Sequence, residues 1–372
     1  MSKVDLEFYK LQNEELLTTP SLLLYPELVK ANIQGILHDM DKQSLRPHIK
    51  TIKCKELVRL LMDAGVSKFK CATLTEARLL GEVGALDVIV AYPLVGWQLN
   101  RFLQLCEEFP NTTYRLIVDS LAAVEYLNQL MEDKFSLQEV LVDINLGMNR
   151  TGVSMDGLFE FVTNCLAFDH IKIWGLHGYD GHIREEDIIV REEVTKGNFE
   201  RLLALSKSLE TAHQLNLHYV FGGTNTFPIY KQYPFVECSP GTFVLWDYGY
   251  QSTLPEQDFN IASIVLSRVV SKPTADTICI DLGYKAIASE NPLDKRFAVL
   301  GKENWTPLSQ SEEHLVLQIP LQDGRDVAIG EFVYILPYHI CPTVAMYPYF
   351  QTIEDKEIAA RWKIVQRYPS TD

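Results

Sequence analysis

The sequence predicts an α/β fold, a (β/α)8 TIM barrel followed by a C-terminal β domain. Eight strand-like runs alternate with helix-period segments over roughly 200 residues, the pattern parallel strands require because each pair needs a helical crossover. After about residue 250 the texture changes to strands broken by Pro, Gly and Asp turns. A length of 372 residues also suits two domains better than one small core.

The elements follow in order. A β-rich run, Ser21–Tyr25, leads into a helix from Pro26 to about Met40. Barrel strands are expected at Leu45–Thr51, Lys68–Thr73, Asp87–Tyr92, Tyr114–Asp119, Glu139–Leu146, Ile171–Gly178, His218–Gly222 and Phe235–Ser239. Helices are expected at Cys54–Ala64, Leu74–Val83, Leu121–Glu132, Met155–Phe168 and Glu192–Leu215. Within the last of these, Leu202, Leu205 and Leu209 are spaced three and four apart, as one helix face requires. A doubly wound open sheet is the alternative arrangement. The barrel is assigned to residues 20–250 and the β domain to 251–372, with residues 1–19 packing against the latter. Its strands read at Ile261–Val270, Thr277–Asp281, Phe297–Leu300, Glu313–Ile319 and Glu331–Leu336.

Composition removes several function classes. The formal charge of −15 argues against nucleic acid and anionic membrane surfaces, which need a positive footprint. No apolar run approaches the ~20 residues that span a bilayer. The start, MSKVDLEFYKLQNEELL, has no basic region followed by an apolar one, so no secretory leader is expected and the location is read as cytoplasmic. Seven scattered cysteines without CxxC spacing fit reduced thiols better than a disulfide framework.

The chemistry concentrates in a few stretches. In an extended Arg46–Lys53, Arg46, His48 and Lys50 share one face. Such a strand either carries solvated charges on the surface or aims three basic groups at a ligand, since burying them otherwise is costly. In the second case Lys50 stands at a barrel mouth, where a carbonyl cofactor could be held as an imine. Lys53 lies on the opposite face. Gly222-Gly223-Thr224 follows the seventh strand and Pro240-Gly241-Thr242 the eighth. Those two loops commonly cradle phosphate in TIM barrels, though each alone reads as an ordinary turn. Arg150 lies in a Gly-bounded loop after the fifth strand, and Tyr179 and His182 follow the sixth. His339 and Cys341, two apart on an expected strand, emerge on one face between Pro337 and Pro342. Imidazole plus thiolate suits Zn2+ above Mg2+ or Mn2+. The plainer reading of that pair is a satisfied histidine and a core cysteine.

Together the pieces RPHIKT, DINLGMNRTG, GLHGYDGH, GGTNT, SPGTFV, DLGYKAIAS and PYHICPTV, in this order, resemble the D-threonine aldolase and D-serine dehydratase family. This is a branch of the alanine-racemase-like, fold-type III pyridoxal 5'-phosphate (PLP) enzymes. The resemblance runs from Thr19 to Thr343. It implies a PLP barrel joined to a β domain, as a homodimer, acting on a small D-amino acid. Lys50 resembles the imine lysine and Arg150 the arginine beside the cofactor's phenolic oxygen. Tyr179 resembles a ring neighbour, Gly223, Thr224, Gly241 and Thr242 the phosphate contacts, and His339 and Cys341 the ligands of a divalent metal (Zn, Mn or Mg). Two outcomes are open for a D-β-hydroxy amino acid. With His182 as base for the hydroxyl proton, glycine and an aldehyde form; with Lys50 taking the α-proton, a 2-oxo acid and ammonia form. A metal-independent racemase and a non-catalytic PLP-binding protein are the alternatives. One departure is Ile52, where the family often has histidine.

Overall fold

The computed structural model describes residues 5–132, 134 and 136–367. The chain forms two compact units. One holds Leu37–Lys50 and Leu57–Gly241; the other holds the chain up to Ile36, Thr51–Glu56 and Thr242–Gln366. The first strand, β1 (Ser21–Leu24), pairs within the second unit.

The first unit is a parallel sheet of β2 (Lys68–Cys71), β3 (Asp87–Val90), β4 (Thr113–Val118), β5 (Gln138–Ile144), β6 (Ile171–Gly178), β7 (His218–Phe221) and β8 (Val236–Cys238), in that order. The segment expected as the first barrel strand closes the ring without being a continuous strand. Arg46 and His48 donate their N–H groups to the carbonyls of Cys238 and Pro240, at 2.8 and 3.0 Å. On the other side Ile49 N donates to Lys70 O at 2.8 Å, and Lys70 N to Pro47 O at 2.9 Å. Pro47 has no N–H to give β2, which interrupts the ladder. The backbone then turns over residues 49–52, so Lys50 ends the segment instead of continuing it. Closure on both sides rules out the open doubly wound sheet.

Helices Leu74–Glu82, Leu121–Glu132, Leu158–Cys165 and Ile188–His213 stand near their expected bounds. Local chemistry starts them: Thr73 caps the first by accepting from Glu76 N, while the Glu76 carboxylate accepts from Ala72 N. Helix Trp97–Glu108, with Leu99, Phe102, Leu103 and Leu105 buried, is absent from the expected elements.

The barrel interior is layered. At the strand N-termini Arg46, wholly buried, pairs with Glu237 at 2.6 Å and Asp87 at 2.7 Å. Arg115 joins Asp87 and Glu139, and Lys68 joins Glu237. Arg46 is thus a buried structural ion-pair partner, neither the solvated surface charge nor the ligand-facing group that the sequence leaves open. Above this floor Ile89, Ile117, Leu141 and Val220 form an apolar cluster against Trp174.

The second unit holds a nine-stranded sheet around β9 (Ser263–Thr274), which carries β10 (Thr277–Ile280), β1 and, further along, β14 (Phe332–Pro337). β11 (Phe297–Val299) pairs with β14; β12 (Thr306–Gln310) and β13 (Leu315–Gln318) extend beyond β10. β1 runs parallel to β15 (Tyr349–Glu354), which forms a hairpin with β16 (Glu357–Lys363). Trp246, Tyr9, Tyr25, Ile264 and Leu336 lie in its core. Among the described residues no helix is long and apolar enough to cross a membrane.

Candidate active site

In the barrel unit the site grows from strand C-termini. Lys50 Nζ stands 5.4 Å from the centre of the Tyr179 ring, and the Arg150 guanidinium carbon 5.1 Å from the same centre. Both are cation–π distances. The Arg150 loop is built tightly. Asn145 Oδ1 accepts from Gly147 N and Asn149 N, Thr151 Oγ1 donates to Asp143, and Gly152 N donates to Asp119. Gly152 has φ +99°, and a Cβ there would stand 2.6 Å from Asn145 N, so no other residue fits. His182 is exposed and lies against Gly147, where an added Cβ would meet its Nε2 at 2.9 Å.

The two loops expected to cradle phosphate lie together. Gly241 N donates to Thr224 Oγ1 at 3.4 Å, a weak bond that an anion's oxygen can replace. A Cβ on Gly241 would stand 2.5 Å from His48 O, and one on Gly223 2.8 Å from the Tyr179 ring. Both glycines therefore open space that any side chain would fill. The following turn is pinned from beneath by buried Asp180, which accepts from Thr226 Oγ1 at 2.6 Å.

Several residues that spacing does not single out complete this half. Buried His177 bonds Asp143 through Nδ1 at 2.7 Å, and its Nε2 lies 3.3 Å from Nζ of Lys70, which reaches across from β2. Lys70 Nζ also donates to Ser239 Oγ at 2.5 Å. Desolvation, then the Lys50 charge, push the Lys70 ammonium down to about 7 against the pull of Asp143. Burial, with Lys50, Lys70 and His177 around it, also holds His48 well below the usual imidazole value. Asp143, Arg150, His177 and Tyr179 line a small cavity beside these groups.

The second unit gathers the remaining expected residues. His339 follows β14 as an extended N-cap, and Cys341 lies in the first turn of helix Ile340–Val344. They were expected on one strand; the strand in fact ends at Pro337, and the cap-to-helix turn brings the side chains into a hydrogen bond. Cys341 Sγ is 3.1 Å from Thr51 Oγ1 and 3.5 Å from Thr242 Oγ1. Thr242 thus belongs with this cluster. Glu290 bonds Nδ1 of His339, and Asp247 accepts from Ile340 N at 3.1 Å. Burial opposes charge on His339, but the Cys341 bond and the negative groups around it raise it to about 9. A carboxylate on the far ring nitrogen is the usual companion of a metal-binding histidine, so the donor set fits a thiophilic divalent ion. Among the described residues no three His, Cys, Asp or Glu side chains are placed to hold a metal ion together, so this pair supplies two protein ligands at most. Ile52 is buried and offers no polar group. Lys285 is exposed and paired with Glu312 and Glu313, as an ordinary turn lysine.

A parallel barrel with a lysine closing its first segment and glycine-lined loops after its last two strands defines a class. The chain belongs to the alanine racemase, N-terminal domain family, whose model matches residues 26–248. A putative serine dehydratase domain matches residues 262–353. The chain is 24% identical to D-threonine aldolase of Arthrobacter sp. over 94% of its own length and 92% of that protein's. It is 24% identical to D-threo-3-hydroxyaspartate dehydratase of a Delftia strain, covering 93% and 97%. The crystal structure of D-threonine aldolase from Filomicrobium marinum superposes with a TM-score of 0.84 at 22% identity, over 93% and 94% of the chains. At that identity the structural likeness is one of fold.

Proposed function

We propose that this protein is a PLP-dependent lyase of D-β-hydroxy amino acids, working with a divalent metal. The observation that carries the reading is the convergence of Lys50, Arg150 and Tyr179 beside the Gly223 and Gly241 loops. The names of the aligned relatives, an aldolase and dehydratases acting on D-amino acids, support the substrate class.

Lys50 would hold the cofactor, Gly223, Thr224, Gly241 and Thr242 its phosphate, Tyr179 one ring face and Arg150 its phenolic oxygen. PLP supplies an electron sink for the pair left at the substrate's α-carbon. Arg150, fixed by its Asn145- and Asp143-anchored loop, keeps a positive charge over the Tyr179 ring, where an anionic group is drawn in a chain otherwise strongly acidic. Lys50, beside the Tyr179 ring, would take the α-proton. His182, on the rim against Gly147, is the candidate base for a β-hydroxyl proton.

His339 and Cys341 would hold the metal, which supplies a Lewis acid for a hydroxyl oxygen. Glu290 fixes the His339 ring, and Thr51 and Thr242 flank the thiol. Support comes from two structures of D-threo-3-hydroxyaspartate dehydratase, one with a histidine and one with a cysteine replaced by alanine, the latter in a metal-free form. The replaced residues lie two positions apart, as His339 and Cys341 do. The proposal includes a cytoplasmic homodimer, which light scattering at defined concentration checks.

The test is product analysis after incubation with D-threonine, PLP and Zn2+ or Mn2+, with EDTA and L-threonine controls. Glycine and acetaldehyde identify the aldolase; a 2-oxo acid and ammonia identify the dehydratase. Epimerised threonine that survives EDTA overturns the lyase reading in favour of a racemase.

A further inference from the structure

Lys70 stands out because nothing in the reaction above uses it. It is 2% exposed, on a strand whose neighbouring interior positions are largely apolar, and burying a lysine there is expensive unless its N–H groups are engaged. They are engaged by two groups from elsewhere in the barrel, Ser239 Oγ just after β8 at 2.5 Å and His177 Nε2 on β6 at 3.3 Å. The bond pattern decides the imidazole's state. The Asp143 carboxylate can only accept, so Nδ1 of His177 carries a proton, and a Lys70 ammonium has no lone pair, so Nε2 of the neutral ring accepts from it. The ring proton then sits on Nδ1 and is donated to Asp143, whose other oxygen accepts from Thr151 in the Arg150 loop.

We propose that Lys70 is a positioning residue of this site: it holds His177 as the neutral, Nδ1-protonated imidazole and so fixes Asp143 and the Arg150 loop behind Tyr179. A second proton on His177 would set its Nε2–H against the Lys70 amine, so the pair cannot both be fully charged in that geometry. The surrounding charges agree. Lys50, His48 and Arg46 approach Lys70 from the closing segment, Asp143 from β5, and Asp180 from the loop after β6. Around His177 desolvation and then Lys70 disfavour the imidazolium, with Arg150 adding to them, while Asp143 favours it. Removing the Lys70 cation leaves Asp143 to dominate, and the imidazole becomes protonatable. The bearing of this on turnover rests on the PLP reading; the state of His177 does not.

The test is 15N NMR of histidine-labelled holoenzyme between pH 5.5 and 8.5, with the His177 signals assigned by their loss in His177→Gln. In the native protein His177 should show a protonated Nδ1, a bare Nε2 and no titration across this range. In Lys70→Met its titration should move upward by about one to three pH units, while Lys70→Arg, which keeps a charged donor, stays native-like. A protonated Nε2 in the native protein overturns the proposal without any variant. So does a Lys70→Met protein that keeps native thermal stability and an unchanged His177. If the native NMR pattern holds but no D-amino acid is turned over, the functional proposal fails and this one stands.

Discussion

Substituting Gly241 by alanine should weaken cofactor binding by an amount the geometry bounds. The added Cβ would stand 2.5 Å from His48 O and 3.2 Å from His48 Cβ, against a closest tolerated approach of 3.0 Å. The nearer neighbour is backbone, held by its own N–H to Pro240 O, so relief requires the Gly241 loop or the closing segment to move by about 0.5 Å or more. Overpacking of this kind costs about 1–3 kcal/mol, which corresponds to roughly 5- to 150-fold in Kd if it falls on the bound state. The movement displaces Gly241 N and, two residues beyond His48, Lys50 itself, so PLP should feel it both at its phosphate and at its carbonyl. Titration of the apoprotein with PLP, followed by absorbance, reads the change. Gly197→Ala is the control, since a Cβ in that helix meets nothing within 4 Å and should stabilise by about 0.5–1 kcal/mol. Native PLP affinity in a folded Gly241→Ala protein would refute the assignment of this loop as the cradle.

Three further outcomes are expected. Arg46→Met removes the partner of Glu237 and Asp87 while leaving both carboxylates in the barrel floor, and urea unfolding should show a loss of about 3–5 kcal/mol; a loss under 1 kcal/mol would mean that water reaches this floor. Burial resists ionisation of Asp87, but Arg46 and Arg115 outweigh it and hold its carboxyl below the usual value. Its contribution is therefore complete above about pH 4 and lost as pH falls through the folded value, so Asp87→Asn should flatten the acid limb of the stability profile; an unchanged limb counts against the linkage. His339→Ala and Cys341→Ala should each lower bound metal and EDTA-sensitive turnover while leaving the PLP absorbance intact, and loss of that absorbance would recast the pair as structural support.

Much of the architecture is legible because strand and helix periods are written locally, and the candidate site because Lys50 and Tyr179 follow strand-like runs directly and Arg150 lies in the loop after another. The misses share a cause, which is that partners distant in sequence decide them. Lys70 in Lys68-Phe69-Lys70-Cys71 reads as one more basic residue on an alternating strand; its meaning appears only when β6 brings His177, 107 positions away, within reach. The β15–β16 hairpin escapes because β16 is largely exposed, with no apolar alternation, and its turn uses Asp355 and Lys356 at positive φ where Asn-Gly would have announced it. His339 and Cys341 are the converse case. Spacing of two suggests a strand face, yet the side chains meet because a cap and the helix turn after it fold back on each other. The resemblance singles out the pair, while the element carrying it depends on where β14 stops.

The barrel explains how a chain with a charge of −15 can present a site for an anionic cofactor. Its acidic interior residues at the strand N-termini are consumed by Arg46, Arg115 and Lys68, so they neutralise one another in the floor. At the other end Lys50, Lys70, His48 and Arg150 face Asp143, whose two oxygens are taken by His177 and Thr151, and Asp180, which is turned to Thr226. Desolvation and mutual repulsion disfavour charge on His48 and His177 and push Lys70 down to about 7, while the Arg150 guanidinium keeps its charge beside Tyr179. A phosphate entering such a site meets a local positive field in a low-dielectric wall, where the distant surface acids are screened within about 8–10 Å by physiological salt. Raising ionic strength should therefore speed, or leave unchanged, PLP capture by this protein. An enzyme that attracts the anion through its net surface charge would be slowed, and the sign of that salt effect distinguishes the two.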